Sequence, residues 1–258
     1  MRLCTHTNSI ISISVIEQLR LLKENQFDSV MLFWYKDMFD TAVDKFPEEA
    51  RRLNLLIENI HIPFGGEDKL WQDTVDSELA EEKVIECIKD CHNHGIKTAV
   101  MHAHGWKSKI PLSDIGVYRY LKIVEAAERY DVNLALENIS DTRAIDLLFA
   151  KIDSDKLKFC YDNGHDNIFP QEDNLIHKYK NKLLALHLTD NDGKDDQHLL
   201  PFDGQVNWSR LIKDLRDISY QGPLSFEVGW QYRDKIKKYS HDEYIKELKK
   251  RAIKILSL

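Results

Sequence analysis

Cysteine is scarce in this 258-residue chain: Cys4, Cys87, Cys91 and Cys160 are all there are, and their count and spacing make no disulfide framework. A reducing compartment is the simpler setting. Glycine and proline are also few, 10 and 6 residues, and no linker, low-complexity tract or composition shift divides the chain. No glycine-rich phosphate loop is present. Long hydrophobic runs are missing as well. The run from Ile10 to Ile16 is broken by Ser12 and Ser14, stops at Glu17 and lacks a small-residue cleavage site, which argues against a secretory leader. Nothing approaches the roughly 20 apolar residues of a membrane-spanning helix. Positive charge is not in excess: 36 Lys and Arg stand against 43 Asp and Glu, a formal net charge of −7 that disfavours general affinity for nucleic acid or an anionic membrane. The expectation is a soluble, cytoplasmic protein.

What is present is a core-forming composition, 43% hydrophobic and 31% charged, in a chain of the length typical of one (β/α)8 barrel. Strand-like runs fall at about 2–6, 28–34, 58–63, 97–102, 133–138, 157–162, 183–188 and 224–229. Between them lie segments of helical period, such as Leu79, Val84, Ile88 and Cys91, then Tyr120, Ile123, Val124 and Ala127, then Trp208, Leu211, Ile212 and Leu215. Ser113 with Asp114, Pro47 and Gly95 sit where helix starts and stops are expected. The lysine-rich tail from Lys235 to Lys250, with Tyr244, Leu248, Ile253 and Ile255 interleaved, reads as a solvated outer helix. Alternating strand and helix predicts a parallel sheet, and eight such units predict an α/β fold, a single TIM barrel over residues 1–258.

Six polar residues recur near the ends of these apolar runs: His61, His102, Glu137, Asp162, His187 and Glu227. Such groups are costly in an apolar strand unless they meet a partner or a metal. A parallel barrel brings its strand ends together, so one shared cluster is expected. Residues two apart in a strand face the same way. Glu137 thus shares a face with Ala135, Asp162 with Cys160, His187 with Ala185 and Glu227 with Ser225, all small enough for a crowded barrel interior. Three carboxylates and an imidazole suit one divalent ion, Mn2+, Mg2+, Co2+ or Zn2+.

The segments LALENIS, FCYDNGHDNIF, ALHLTDNDGKDDQHLLPFDGQVNW and GPLSFEVGW, in that order, resemble the sugar phosphate isomerase/epimerase family of xylose isomerase-like barrels, within the AP endonuclease family 2 superfamily. The resemblance covers most of residues 58–230. It implies a metal held by Glu137, Asp162, His187 and Glu227, with the two glutamates also acting as acid and base. Such a pair would move a proton next to a carbonyl through an enediolate. The substrate implied is a small sugar or polyol, phosphorylated or free. His165, in the DNGH element, is implied to contact substrate oxygens or a further metal. A rival resemblance uses the same residues: with His61, His102, His165, Asp196 and His198 added, the set matches the nine ligands of the endonuclease IV family, which holds three Zn2+ and cleaves abasic DNA. A non-catalytic sugar-binding barrel is the third reading, disfavoured because both glutamates are present.

The remaining candidates are weaker signals. His104 shares a face with His102 if that strand persists; Trp34, Phe64, Trp106 and Trp230 follow strands and are candidates to wall a sugar pocket. Lys107, Lys109, Lys194 and Arg233 are the candidates for anion contact, each more often a plain surface charge. Cys87, Cys91, His92 and His94 have a zinc-like spacing but read as the last turns of one helix. The acidic loops after the sixth and seventh strands disfavour a nucleic-acid partner. Stereochemistry, metal identity and self-association are left open.

Overall fold

Eight strands follow one another as parallel neighbours: β1 (Leu3–His6), β2 (Ser29–Phe33), β3 (Leu56–His61), β4 (Thr98–His102), β5 (Asn133–Glu137), β6 (Leu157–Asp162), β7 (Leu183–His187) and β8 (Leu224–Phe226). The structure is a computed structural model that describes residues 1–10, 12–36, 42–229 and 239–258. Strand order runs from β7 down to β1 and then to β8. The ring closes between β7 and β8, where Leu188 bridges Phe226 and backbone bonds of 2.8 Å join Leu188 N to Ser225 O and Glu227 N to Leu188 O. This is a TIM barrel, as expected from the alternation.

Helices cover the outside: α1 (Val15–Glu24), α2 (Phe46–Arg52), α3 (Val75–Asn93), α4 (Asp114–Arg129), α5 (Arg143–Lys151), α6 (Asn163–Ile168), α7 (Leu175–Lys178), α8 (Trp208–Asp217) and α9 (His241–Leu256). Their ends follow local chemistry. Ser113 Oγ accepts the Gly116 N–H to cap α4, and Pro47 occupies the first turn of α2, where its missing N–H costs nothing. Gly95, at φ +63°, carries the chain out of α3. A capping box between Ser240 and Glu243 starts α9, which buries Tyr244, Leu248 and Ile255 and leaves Ile253 exposed. Leu79 departs from expectation: it lies on the solvent side of α3, while Val84, Cys87, Ile88 and Cys91 face the core. No helix among the described residues is long and apolar enough to cross a membrane.

Side-chain parity within the strands separates two cores. Val100, Ala135, Cys160 and Ala185 pack together inside the barrel, whereas Leu134, Leu136, Phe159, Leu186, Leu224 and Phe226 pack outward against the helices. Small residues inside are what an eight-stranded ring has room for. The strand register then lifts the next inward residue of β4 to β7 to the carboxyl-terminal mouth, pairing His102 with Glu137 and Asp162 with His187.

Candidate active site

His61, His102, Glu137, Asp162 and His187 are each the last residue of their strand, and Glu227 lies one residue past β8. The shorter β8 does not move Glu227 out of the cluster, because its N–H still bonds Leu188 O across the seam. Donor atoms of Glu137, Asp162, His187 and Glu227 all lie within 4.8 Å of one another, and His61 joins Glu137 and His187 in an overlapping group. His187 Nδ1 sits 2.8 Å from Glu137 Oε2 and 2.9 Å from Glu227 Oε2. His61 Nε2 and His102 Nε2 lie 3.4 and 3.8 Å from the same Glu137 oxygen, and His165 Nδ1 lies 3.3 Å from Oε1.

The donor atoms lie close enough together to hold one metal ion. Glu137 Oε2, Asp162 Oδ2 and both ring nitrogens of His187 are buried without an aligned hydrogen-bond partner. Buried carboxylates at this spacing repel unless a cation stands between them. A divalent ion fits the set of three carboxylates and an imidazole, and those four residues would hold it.

The electrostatics carry the same strain. Burial would raise the Glu137 carboxyl, but His187 and His102 overcome it and hold it well below the usual range; His187 and His198 do the same for Glu227. Asp162 goes the other way, pushed up to about 7 by burial and by Glu137, Glu227 and Asp196, against the pull of His165. Burial would lower the His187 imidazole, yet Cys160, Glu137 and Glu227 hold it well above the ordinary histidine value.

Backbone partners aim the surrounding imidazoles. His61 Nδ1 donates to Ile62 O at 2.7 Å and His165 Nδ1 to Asn138 O at 2.9 Å, which turns each Nε2 toward the cavity. His198 is committed at both ends: Nδ1 donates to Glu227 O at 2.8 Å and Nε2 lies 2.9 Å from Asp196 Oδ2. Asp196 raises the His198 imidazole to about 10 against the effect of its burial.

Two asparagines that follow ligand candidates act as clamps. Asn138 Nδ2 donates to Asp162 O and its Oδ1 accepts the Asp162 N–H, both at 2.8 Å. Asn163 repeats the pattern on Thr189, again with two bonds of 2.8 Å. Each side chain replaces a missing rung of the sheet just where the strands end. Asp162 Oδ1 in turn caps α6 by accepting the His165 N–H at 2.6 Å.

Above the cluster opens a cavity of about 350 Å3 bounded in part by His61, Phe64, His102, Trp106, Glu137, His165, Asp196, His198 and Glu227. Phe64 stacks on His102 at 5.6 Å, and Trp106 meets His165 edge-on at 5.2 Å. Three sequence candidates lie elsewhere. Trp34 is buried against the helical layer, its Nε1 donating to Asp90 at 2.8 Å; Phe33, two residues after Met31, takes the inward place on β2. His104 turns to the carbonyls of Gly105 and Asp141, because β4 ends at His102 and does not carry the face onward. Lys194 is exposed on the loop after β7, its N–H bonded to Asp192. Trp230 and Arg233 lie outside the described residues. Lys107 lies over the Trp106 and Phe169 rings. Cys87 and Cys91 are buried in α3, while His92 Nδ1 donates to Tyr130 O.

Sequence reasoning missed two titratable cavity residues. His6 ends β1, donates Nε2 to Val228 O at 2.9 Å, and is lowered to about 4 by burial, so it is neutral. Its strand-end position is the same signal that found the other six. Glu67 comes from the short helix Glu67–Trp71 after β3, where no strand periodicity could mark it.

The family described as xylose isomerase-like TIM barrel matches residues 19–251. An uncharacterised protein, MJ1311 of Methanocaldococcus jannaschii, is 27% identical over 198 residues, 69% of this chain and 66% of that protein. The fructoselysine 3-epimerase of Escherichia coli O157:H7 is 32% identical over 63 residues, 24% of this chain and 23% of the enzyme. The chain thus spans less than two thirds of these curated relatives. Among solved structures, a D-tagatose 3-epimerase-like protein has a TM-score of 0.76 at 21% identity, covering 99% of this chain and 100% of its own. The IolI protein with a bound zinc atom has a TM-score of 0.80 at 17% identity, covering 100% and 98%. These structural likenesses concern the fold.

Proposed function

Because the chain belongs to the xylose isomerase-like TIM barrel family, we propose that it is a metal-dependent sugar epimerase or isomerase that moves a proton on the carbon next to a carbonyl. The observation that carries the reading is the convergence of two buried carboxylates, Glu137 and Glu227, on His187 Nδ1 at 2.8 and 2.9 Å beneath an aromatic-walled cavity. The cavity, about 350 Å3, is at the small end of ligand pockets. The fructoselysine 3-epimerase among the relatives and the D-tagatose 3-epimerase-like protein among the structural neighbours support the substrate class.

Glu137 and Glu227 enter from β5 and from the end of β8, three strands apart round the ring. One glutamate takes the proton from carbon and the other returns a proton to the opposite face, which inverts the stereocentre. Return to the neighbouring carbon instead interconverts ketose and aldose. A divalent ion held by Glu137, Asp162, His187 and Glu227 would supply the electrophile for the oxygen that gains charge as the proton leaves. His61 and His165, fixed by backbone carbonyls, offer Nε2 to sugar oxygens, and Phe64 and Trp106 offer ring faces to sugar C–H groups.

The three-zinc abasic endonuclease is the second reading, favoured by the nearness of His61, His102, His165, Asp196 and His198 to the same cavity. Against it, the loop after β7 carries Asp192, Asp195 and Asp196 where a duplex-binding mouth calls for Lys and Arg. Metal quantification per chain, paired with solvent-deuterium exchange into a panel of ketoses, separates the two. One divalent metal with exchange is expected. Three tightly bound zincs, cleavage of abasic DNA and no exchange into any sugar would overturn the proposal.

A further inference from the structure

Glu67 is a buried carboxylate whose hydrogen bonding is incomplete. It is 6% exposed, borders the cavity and leaves Oε1 without an aligned hydrogen-bond partner, while His102 Nδ1 lies 3.4 Å away. Its other oxygen, Oε2, accepts the Gly65 N–H at 2.8 Å. Burying an ionised group with one oxygen unused costs free energy, and packing alone would be served better by an apolar residue.

The short helix that carries it is held rigidly. Asp68 Oδ1 accepts the Gly105 N–H at 2.8 Å, Trp71 Nε1 donates to Ala103 O at 2.9 Å, and Ser113 Oγ donates to Trp71 O at 2.6 Å. The loops after β3 and β4 are thereby tied to each other, and Oε1 has a fixed position beside His102. Preorganised acceptors of this kind select a ligand donor.

We propose that Glu67 is a substrate-binding residue whose Oε1 accepts a hydrogen bond from a sugar hydroxyl remote from the reacting carbon, next to His102. The inference rests on the reading of the site as a sugar epimerase or isomerase. It sets specificity: a sugar lacking that hydroxyl leaves a buried anion unpaired and is rejected.

Glu67→Gln is a sharp test because Gly65 donates. The amide oxygen of the glutamine must take the Gly65 N–H, which turns the amide NH2 to the cavity and puts a donor where an acceptor stood. Metal-loaded wild type and variant are compared for binding and deuterium exchange with D-fructose, D-tagatose and their 4-, 5- and 6-deoxy derivatives. The expected result is a rise of about ten-fold or more in both Kd and KM with kcat within about three-fold, as loss of a charged hydrogen bond made equally in ground and transition states requires. One deoxy derivative should bind wild type as weakly as the parent sugar binds the variant. Sugar affinity within two-fold of wild type in the variant overturns the inference while leaving the proposed function standing. Should the variant not fold, the wild-type series decides, and no deoxy derivative losing ten-fold overturns it. A wild type that binds and exchanges no ketose overturns the proposed function, and this inference with it.

Discussion

Glu137 is the residue on which most of the mouth converges: His187, His61, His102 and His165 all lie within 3.8 Å of its two oxygens. At this position Glu137→Gln keeps the shape and removes the proposed base. Deuterium exchange into a ketose should fall by at least about 100-fold in Glu137→Gln and in Glu227→Gln, the usual loss for a positioned acid or base. Exchange at the wild-type rate in either variant removes that residue from proton transfer. Two other proposed ligands should set the pH dependence of metal uptake. Asp162, raised to about 7, and His187, held well above its ordinary value, carry protons in the metal-free protein at and below neutrality. A metal must displace them, so affinity should fall as pH drops below about 7 and rise above it, with protons released on binding. Titration calorimetry in buffers of different ionisation enthalpy measures both quantities; an affinity flat between pH 5.5 and 8 contradicts the assignment.

Strand ends were the legible elements. A histidine or carboxylate closing an apolar run, two residues after Ala135, Cys160 or Ala185, declares both its face and its level in the barrel. The same parity argues for Phe33 over Trp34 on β2: Trp34 follows the strand but takes the outward face, where its Nε1 donates to Asp90. Glu67 could not be read at all: its place depends on the Asp68, Trp71 and Ser113 contacts that fold the loop, and these are long-range. The asparagine clamps stood in plain sight in LENIS and DNGH but carry no periodic signal. They yield a prediction at this scale. Asn138→Ala removes both bonds to the Asp162 backbone and leaves buried peptide groups unsatisfied, a cost of about 1–3 kcal/mol per group. Metal affinity should drop by about ten-fold or more, since a ligand strand loses its fixed end. Asn138→Asp should be no better, because a carboxylate cannot donate to Asp162 O. Unchanged metal affinity in a folded Asn138→Ala protein would reduce the clamp to a packing feature.

Across the whole ring, the pairing is uneven. The ladder from β1 round to β7 is built from parallel register pairs, whereas β7 and β8 meet at one isolated bridge, Leu188 to Phe226, with backbone bonds on either side of it. The proposed metal ligands straddle this seam, His187 on β7 and Glu227 just past β8, with Glu137 and Asp162 on the two strands beyond. A bound ion would therefore cross-link the place where the barrel closes, and would also relieve the repulsion among three buried carboxylates. Stabilisation by a ligand at 100 times its dissociation constant is about 2.7 kcal/mol, and a chain of this size shifts by roughly 2–4 °C per kcal/mol. Chelation should then lower Tm by about 5–11 °C. Its local signature is more telling than the shift itself. Amide exchange at Leu188 and Glu227, the donors that close the seam, should accelerate on chelation more than at the β2 and β3 amides on the far side of β1. Equal acceleration around the ring would mean that the ion stabilises the barrel as a whole, and no acceleration at the seam would mean that these four residues hold no ion there.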